Sequence, residues 1–166
     1  IVALEWLRQP YQLCRIEMPG QVQGEDYRRL NLLGETPTLR TANGELISES
    51  LAILNHLAAR GIAQGWGFAQ GTPGFDRLNQ ALAYLNTSFF GAYAPLWHAL
   101  EHAEGADGEA LRRYGTEKVR HVHQALEQMI GNGPWLLGGQ RSLADAYFAG
   151  IARWNDYHQV VDRRHF

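Results

Sequence analysis

The sequence predicts an α/β unit followed by an all-α unit. Three observations carry this. Over the first 60 residues short β-prone runs alternate with helical stretches, and then the strand signal stops. Residues 61–73 are rich in Gly, Ala and Gln and read as a linker. From Thr72 onward apolar residues recur at helical spacing. The expected boundaries are therefore 1–60, a linker over 61–73, and a helical domain over 74–166.

Each element has its own signal. Residues 1–9 read as a helix stopped by Pro10, whose ring and missing N–H end helices. Residues 11–17 alternate apolar and polar side chains, the pattern of a half-buried strand, which would also bury Cys14. Residues 20–24 form a loop, and residues 25–33 a short helix. Asn43-Gly44, between β-prone runs at 37–41 and 45–47, predicts a tight type I′ hairpin. Ser48 or Ser50 can cap the helix that runs to Arg60. Thr72-Pro73 supplies an N-cap and a first-turn proline for a helix carrying Phe75, Leu78, Leu82, Leu85 and Phe89. Pro95 predicts a kink near Gly91. Gly105 to Gly108 reads as a break before a long helix over 109–130. Ser142-Leu143-Ala144-Asp145 has capping-box spacing and opens a helix with Leu143, Tyr147, Ile151 and Trp154 on its apolar face.

Composition narrows the function classes. No run of about 18 apolar residues predicts a membrane span. A formal net charge of −2 argues against a general nucleic-acid binder. The single cysteine excludes an intrachain disulfide and, with no signal peptide visible, suits a reducing, cytoplasmic setting. His98 and His102 have i, i+4 spacing, but no third ligand accompanies them, so no metal site is expected. His121 and His123 read as solvated side chains on different helix faces.

The start of the helix after the hairpin carries the chemistry. A helix N-terminus offers unpaired N–H groups and partial positive charge, which suit an anion. The carboxylate of Glu49 beside it suits a cation. Together they match the zwitterionic end of an amino acid.

The order of these motifs resembles the cytosolic glutathione S-transferase family, over essentially the whole chain. Residues 31–39, Asn-Leu-Leu-Gly-Glu-Thr-Pro-Thr-Leu, are similar to the family's Asn-Pro-x-Gly-x-Val-Pro-x-Leu segment. Residues 47–53, Ile-Ser-Glu-Ser-Leu-Ala-Ile, resemble its glutathione-binding turn, and Ser142 to Asp145 its buried capping box. The resemblance implies a thioredoxin-like N-terminal domain lacking its first strand, which would pair beside residues 11–17, and a glutathione-transferase-type helical domain. It implies a cis bond before Pro37, backbone pairing of Thr36 with the cysteinyl part of glutathione, and Glu49 and Ser50 on the γ-glutamyl end. It implies conjugation of the glutathione thiolate to a hydrophobic electrophile, with glutathione as substrate, no metal, and a homodimer. The thiol-activating Ser, Tyr or Cys is expected in a segment before Ile1. Alternatives on the same motifs are a non-catalytic binding or regulatory protein, or a glutathione-dependent isomerase, dehalogenase or peroxidase. Phe90, Tyr93 and Trp97, with Phe89, either line an apolar acceptor pocket or belong to the core. Ala81, Tyr84 and Ser88, a neutral face beside the apolar one, are expected at the dimer interface.

Overall fold

The computed structural model describes residues 1–18 and 20–162. The last four residues of the expected helical domain therefore lie outside the described residues. In chain order the elements are α1 (Val2–Leu7), a 3-10 turn (Gln21–Gln23), α2 (Glu25–Arg28), β1 (Thr38–Arg40), β2 (Leu46–Ser48) and α3 (Ser50–Arg60). A second 3-10 turn (Ile62–Gln64) leads to α4 (Pro73–Ala83), a π-helical turn (Tyr84–Phe89), α5 (Phe90–Ala92) and α6 (Ala94–Glu101). The chain ends in α7 (Gly105–Ile130), α8 (Leu143–Ile151) and α9 (Trp154–His158). This is a thioredoxin-like unit with a small sheet, followed by a helical domain.

In the N-terminal unit α1 stops at Arg8, which adopts the left-handed conformation two residues before Pro10. Residues 11–17 are not a strand. A strand is held by its neighbour's N–H and C=O groups, and among the described residues the only ladder joins β1 to β2. The alternating side chains therefore lie exposed, apart from the half-buried Ile16, along a segment without regular structure, and Cys14 is exposed rather than buried. α2 is also shorter than expected.

The hairpin forms where its sequence predicts, with Thr38 opposite Ser48, Leu39 opposite Ile47 and Arg40 opposite Leu46. Its turn is not type I′, which needs positive φ at two central residues. Only Gly44 is left-handed, with φ 90°. The Gly44 N–H donates to Thr41 O at 3.0 Å, and the Thr41 N–H to Glu45 O at 2.9 Å. This is a three-residue loop with a left-handed glycine at its end. The Thr41 hydroxyl donates to the Asn43 side chain, which favours this geometry over the tighter turn.

In the helical domain the Thr72 hydroxyl accepts from the Phe75 N–H at 3.3 Å, with Pro73 in the first turn. The apolar face Leu78, Leu82, Leu85 and Phe89 is fully buried. Pro95 does not bend one continuous helix. It sits in the first turn of α6, where a missing N–H costs nothing, after a break at Tyr93. α7 begins at Gly105, so the helical break is at residues 102–104 and not across the glycines. Gly115 of α7 lets Leu96 of α6 pack directly on the helix, since a Cβ there would lie 2.7 Å from Leu96 Cγ. Two expectations about surface side chains are corrected here. His123 is buried, 3.0 Å from the Tyr93 hydroxyl through Nε2, because its face of α7 looks into the bundle. Ala81 is buried in this chain's own core, and the Tyr84 hydroxyl donates to Val122 O at 2.7 Å. Of the face assigned to a dimer only Ser88 is exposed.

The two halves share one core. Ala3 and Leu7 of α1 and Ile53, Leu54 and Leu57 of α3 pack with Leu143, Ala144 and Tyr147 of α8. A cationic clamp reinforces the seam. The Arg141 guanidinium lies 5.1 Å from the Trp6 ring centroid, 5.4 Å from Trp66 and 5.5 Å from Trp135. Each such contact contributes about 0.5–1 kcal/mol at a partly wet site.

Candidate functional site

The candidate residues meet at the open end of the hairpin. Because the ladder ends with Thr38 opposite Ser48, the chain enters β1 from Pro37 and leaves β2 into Glu49 at the same end of the hairpin. The Thr36-Pro37 bond is cis. Thr36, Pro37 and Glu49 are exposed, and Ser50 is half-buried, so the site opens onto the surface.

Neither serine is the cap of α3. Glu49 holds the N-cap position with φ 68° and ψ 122°, and Ser50 is the first helical residue. Glu49 O accepts from the Ile53 N–H at 3.0 Å, which closes the first turn. The first N–H groups of α3 have no intrahelical acceptor. A non-glycine residue at this φ and ψ costs on the order of 1–3 kcal/mol. The exposed Glu49 carboxylate therefore stands at the amide-rich start of α3. One end of the site thus favours a cation and the other an anion.

Sequence reasoning missed the residues that brace this loop. The Tyr27 hydroxyl donates to Glu35 O at 2.9 Å and lies 3.1 Å from Thr38 Oγ1. The Asn31 amide donates to the same carbonyl at 2.7 Å and to the same hydroxyl at 3.3 Å. Two buried polar side chains therefore grip the chain on both sides of Thr36-Pro37. Asn31 stood in the matching segment, but nothing in its spacing announced a fold back onto residue 35. Tyr147 of α8 is also missed, having read only as an apolar-face residue. Burial raises its phenol's pKa, hydrogen bonding from Ser50 pulls it down, and the Glu49 charge raises it further.

The aromatic candidates divide. Tyr93 is corrected to the core: it is fully buried, its hydroxyl is bonded to His123, and burial pushes its pKa up to about 12. Phe89 is likewise fully buried. Phe90 is 43% exposed and packs on Trp154, with ring centroids 4.5 Å apart. Trp97 is half-buried against Trp154, Tyr157 and His158. Only Phe90 and Trp97 therefore present surface. Two clefts near the C-terminal end are lined by residues such as Asn155, Gln159, Val160 and Val161, and neither involves these aromatics. The His98 and His102 rings are exposed, with centroids 5.2 Å apart. Among the described residues no group of three or more His, Cys, Asp or Glu side chains is placed to hold a metal. No helix among them is long and apolar enough to cross a membrane.

Comparison with known proteins agrees with this architecture. Residues 1–60 match the family model of the glutathione S-transferase N-terminal domain. A glutathione S-transferase, GstA, from an Escherichia coli strain is 25% identical over 131 residues, covering 79% of this chain and 62% of the relative. A glutathione S-transferase-like protein, gedE, of Aspergillus terreus is 29% identical over 156 residues, covering 87% of this chain and 67% of the relative. The chain thus spans about two thirds of the length of these relatives. A sphingomonad glutathione S-transferase solved in complex with glutathione superposes with a TM-score of 0.82 at 25% identity, covering 98% of this chain and 79% of that one. With the cis Thr36-Pro37 bond, the Glu49-Ser50 helix start and the helical second domain in place, this chain is similar to glutathione S-transferases in sequence and in fold.

Proposed function

We propose that this protein binds glutathione at the Thr36-Pro37 and Glu49-Ser50 end of the hairpin and conjugates its thiolate to a hydrophobic electrophile. The observation that carries the reading is the placement of a charge-discriminating helix start at the same end of the hairpin as a cis-proline loop. Glutathione is a peptide, and an extended peptide can add to a strand edge through its main chain. Thr36 offers that edge to the cysteinyl residue. The Glu49 carboxylate takes the γ-glutamyl ammonium, and Ser50 with the first N–H groups of α3 takes its carboxylate. The solved sphingomonad complex supports glutathione as the ligand.

Binding alone does not make a nucleophile. The free thiol is mostly protonated at neutral pH, and only the thiolate attacks. The thiolate carbon–sulfur bond forms as the leaving group departs from the acceptor carbon. The described residues supply binding and orientation, and Phe90 and Trp97 offer an apolar surface to the acceptor. The test is turnover of a chlorinated nitrobenzene with glutathione, followed by absorbance of the thioether. The expected result is saturable, glutathione-dependent conjugation. Glutathione binding without turnover of any acceptor class would favour a non-catalytic module, and turnover of a peroxide or a dehalogenation substrate alone would favour the corresponding relative reaction.

The reading includes a homodimer in a cytoplasmic setting. Ala81 and Tyr84 no longer argue for that dimer, since both serve the chain's own core. Light scattering at micromolar concentration should give twice the 18.7 kDa chain mass. A mass of one chain would remove the dimer from the account.

A further inference from the structure

Among the described residues two buried side-chain nitrogens lack a hydrogen-bond partner, Trp97 Nε1 and His158 Nε2. They belong to touching rings, whose centroids are 4.5 Å apart and whose planes cross at 78°. A dry, unpaired polar group is costly, so two on neighbouring rings call for a ligand group that pairs them. The surroundings supply none. Trp154 lies 5.6 Å from Trp97 and Tyr157 5.7 Å, ring to ring, and Tyr93 lies 5.9 Å from His158. The Tyr93 hydroxyl is already engaged with His123. The turn that carries His158 is held by Asn155, whose Oδ1 accepts from the Val160 and Val161 N–H groups at 3.0 and 2.9 Å and whose amide donates to Val161 O at 2.6 Å. Burial lowers the His158 pKa, so its imidazole is neutral at pH 7 and needs no counterion.

An indole N–H can only donate, whereas Nε2 of a neutral imidazole donates or accepts according to its tautomer. The group that completes the pair therefore carries a hydrogen-bond acceptor, and an oxygen suits it. The walls say what carries that oxygen. Phe90 packs on Trp154 at 4.5 Å, and Phe90 and Tyr157 are 43% and 67% exposed, so successive ring contacts lead from the surface to the two nitrogens. Such walls fit a planar aromatic ligand. We infer that Trp97, with His158, determines specificity at the acceptor site, and that the acceptor is a planar aromatic electrophile with a carbonyl or nitro oxygen. That oxygen takes the Trp97 N–H when the exposed Tyr157 ring gives way. This rests on the reading that Phe90 and Trp97 face the acceptor. It makes the patch select an oxygen-bearing compound over a hydrocarbon of the same shape.

The test is titration of the isotope-labelled protein with acetylnaphthalene and with isopropenylnaphthalene, which has the same shape and no oxygen, followed by magnetic resonance of the indole N–H groups. Acetylnaphthalene should bind roughly three- to tenfold more tightly, the effect of one neutral hydrogen bond, and should move the Trp97 indole signal. That signal is identified by its loss in Trp97→Phe, a variant that keeps an aromatic ring and removes the donor. In Trp97→Phe the two ligands should bind equally. Should that variant fail to fold, the wild-type preference and the movement of a single indole signal decide the question. Equal affinity of the wild type for both ligands, no binding of either, a preference that survives in Trp97→Phe, or a preference with no indole signal moved overturns the inference. Glutathione is titrated into the same samples. If it binds while any of these results holds, the inference alone falls and the glutathione reading stands. A wild type that binds none of the three overturns both.

Discussion

Replacing Asp145 by Ala should lower the stability of this protein by about 3 kcal/mol, the cost of stranding buried donors. Asp145 is buried, and its carboxylate accepts from the Leu136 N–H at 2.8 Å, the Ser142 N–H at 2.7 Å and the Ser142 hydroxyl at 2.9 Å. Two of these donors are backbone groups of the buried residues Leu136 and Ser142. The same residue completes the reciprocal capping box that starts α8. At roughly 2–4 °C per kcal/mol for a chain of this size, the melting temperature should fall by about 10 °C. Asp145→Asn, which keeps one acceptor oxygen, should fall between. Thermal unfolding followed by circular dichroism checks this, and a loss under about 1 kcal/mol would mean that water replaces the carboxylate.

The second large effect is on ligand binding. Glu49→Ala should weaken glutathione affinity by roughly ten- to a hundredfold, since a charge-assisted hydrogen bond contributes about 1.5–3 kcal/mol. The backbone supplies an internal control. Alanine at φ 68° is strained much as glutamate is, so Glu49→Ala should leave stability near its starting value. Glycine takes this conformation freely, though it loses more entropy on folding. Glu49→Gly should therefore match or exceed wild-type stability by up to about 2 kcal/mol while losing the same affinity. A variant that gains stability as it loses binding would show that the strain is held there for the ligand. Calorimetry giving equal affinities for wild type and Glu49→Ala would remove Glu49 from the site.

Most of this fold was legible in the sequence because its signals are local. Asn43-Gly44, Thr72-Pro73 and Ser142 to Asp145 each act through neighbours within a few residues, and each marks a turn or a helix start in the structure. The misreadings share a cause in long-range context. Residues 11–17 have strand alternation, but a strand exists only where a ladder partner does. His123 sits on a largely polar helix and is buried all the same, because Tyr93, at the break between α5 and α6, meets it. The π turn at Tyr84–Phe89 has no motif. It appears where Tyr84 reaches Val122 and Asn86 reaches Tyr147, both contacts across the bundle. The site behaves likewise. Thr36, Pro37, Glu49 and Ser50 could be named from short motifs, whereas Tyr27 and Asn31, which brace the cis-proline loop, enter through contacts that no spacing encodes.

The account's central claim is that the Glu49-Ser50 end of the hairpin reads the γ-glutamyl zwitterion of glutathione. The measurement that tests it most directly is calorimetric titration of the wild-type chain with glutathione, S-methylglutathione and the dipeptide Cys-Gly. S-methylglutathione keeps both charged ends of the γ-glutamyl group and should bind within a few-fold of glutathione. Cys-Gly lacks that group and should bind at least tenfold more weakly, by the loss of one charge-assisted contact. Equal affinity for Cys-Gly and glutathione would contradict the account.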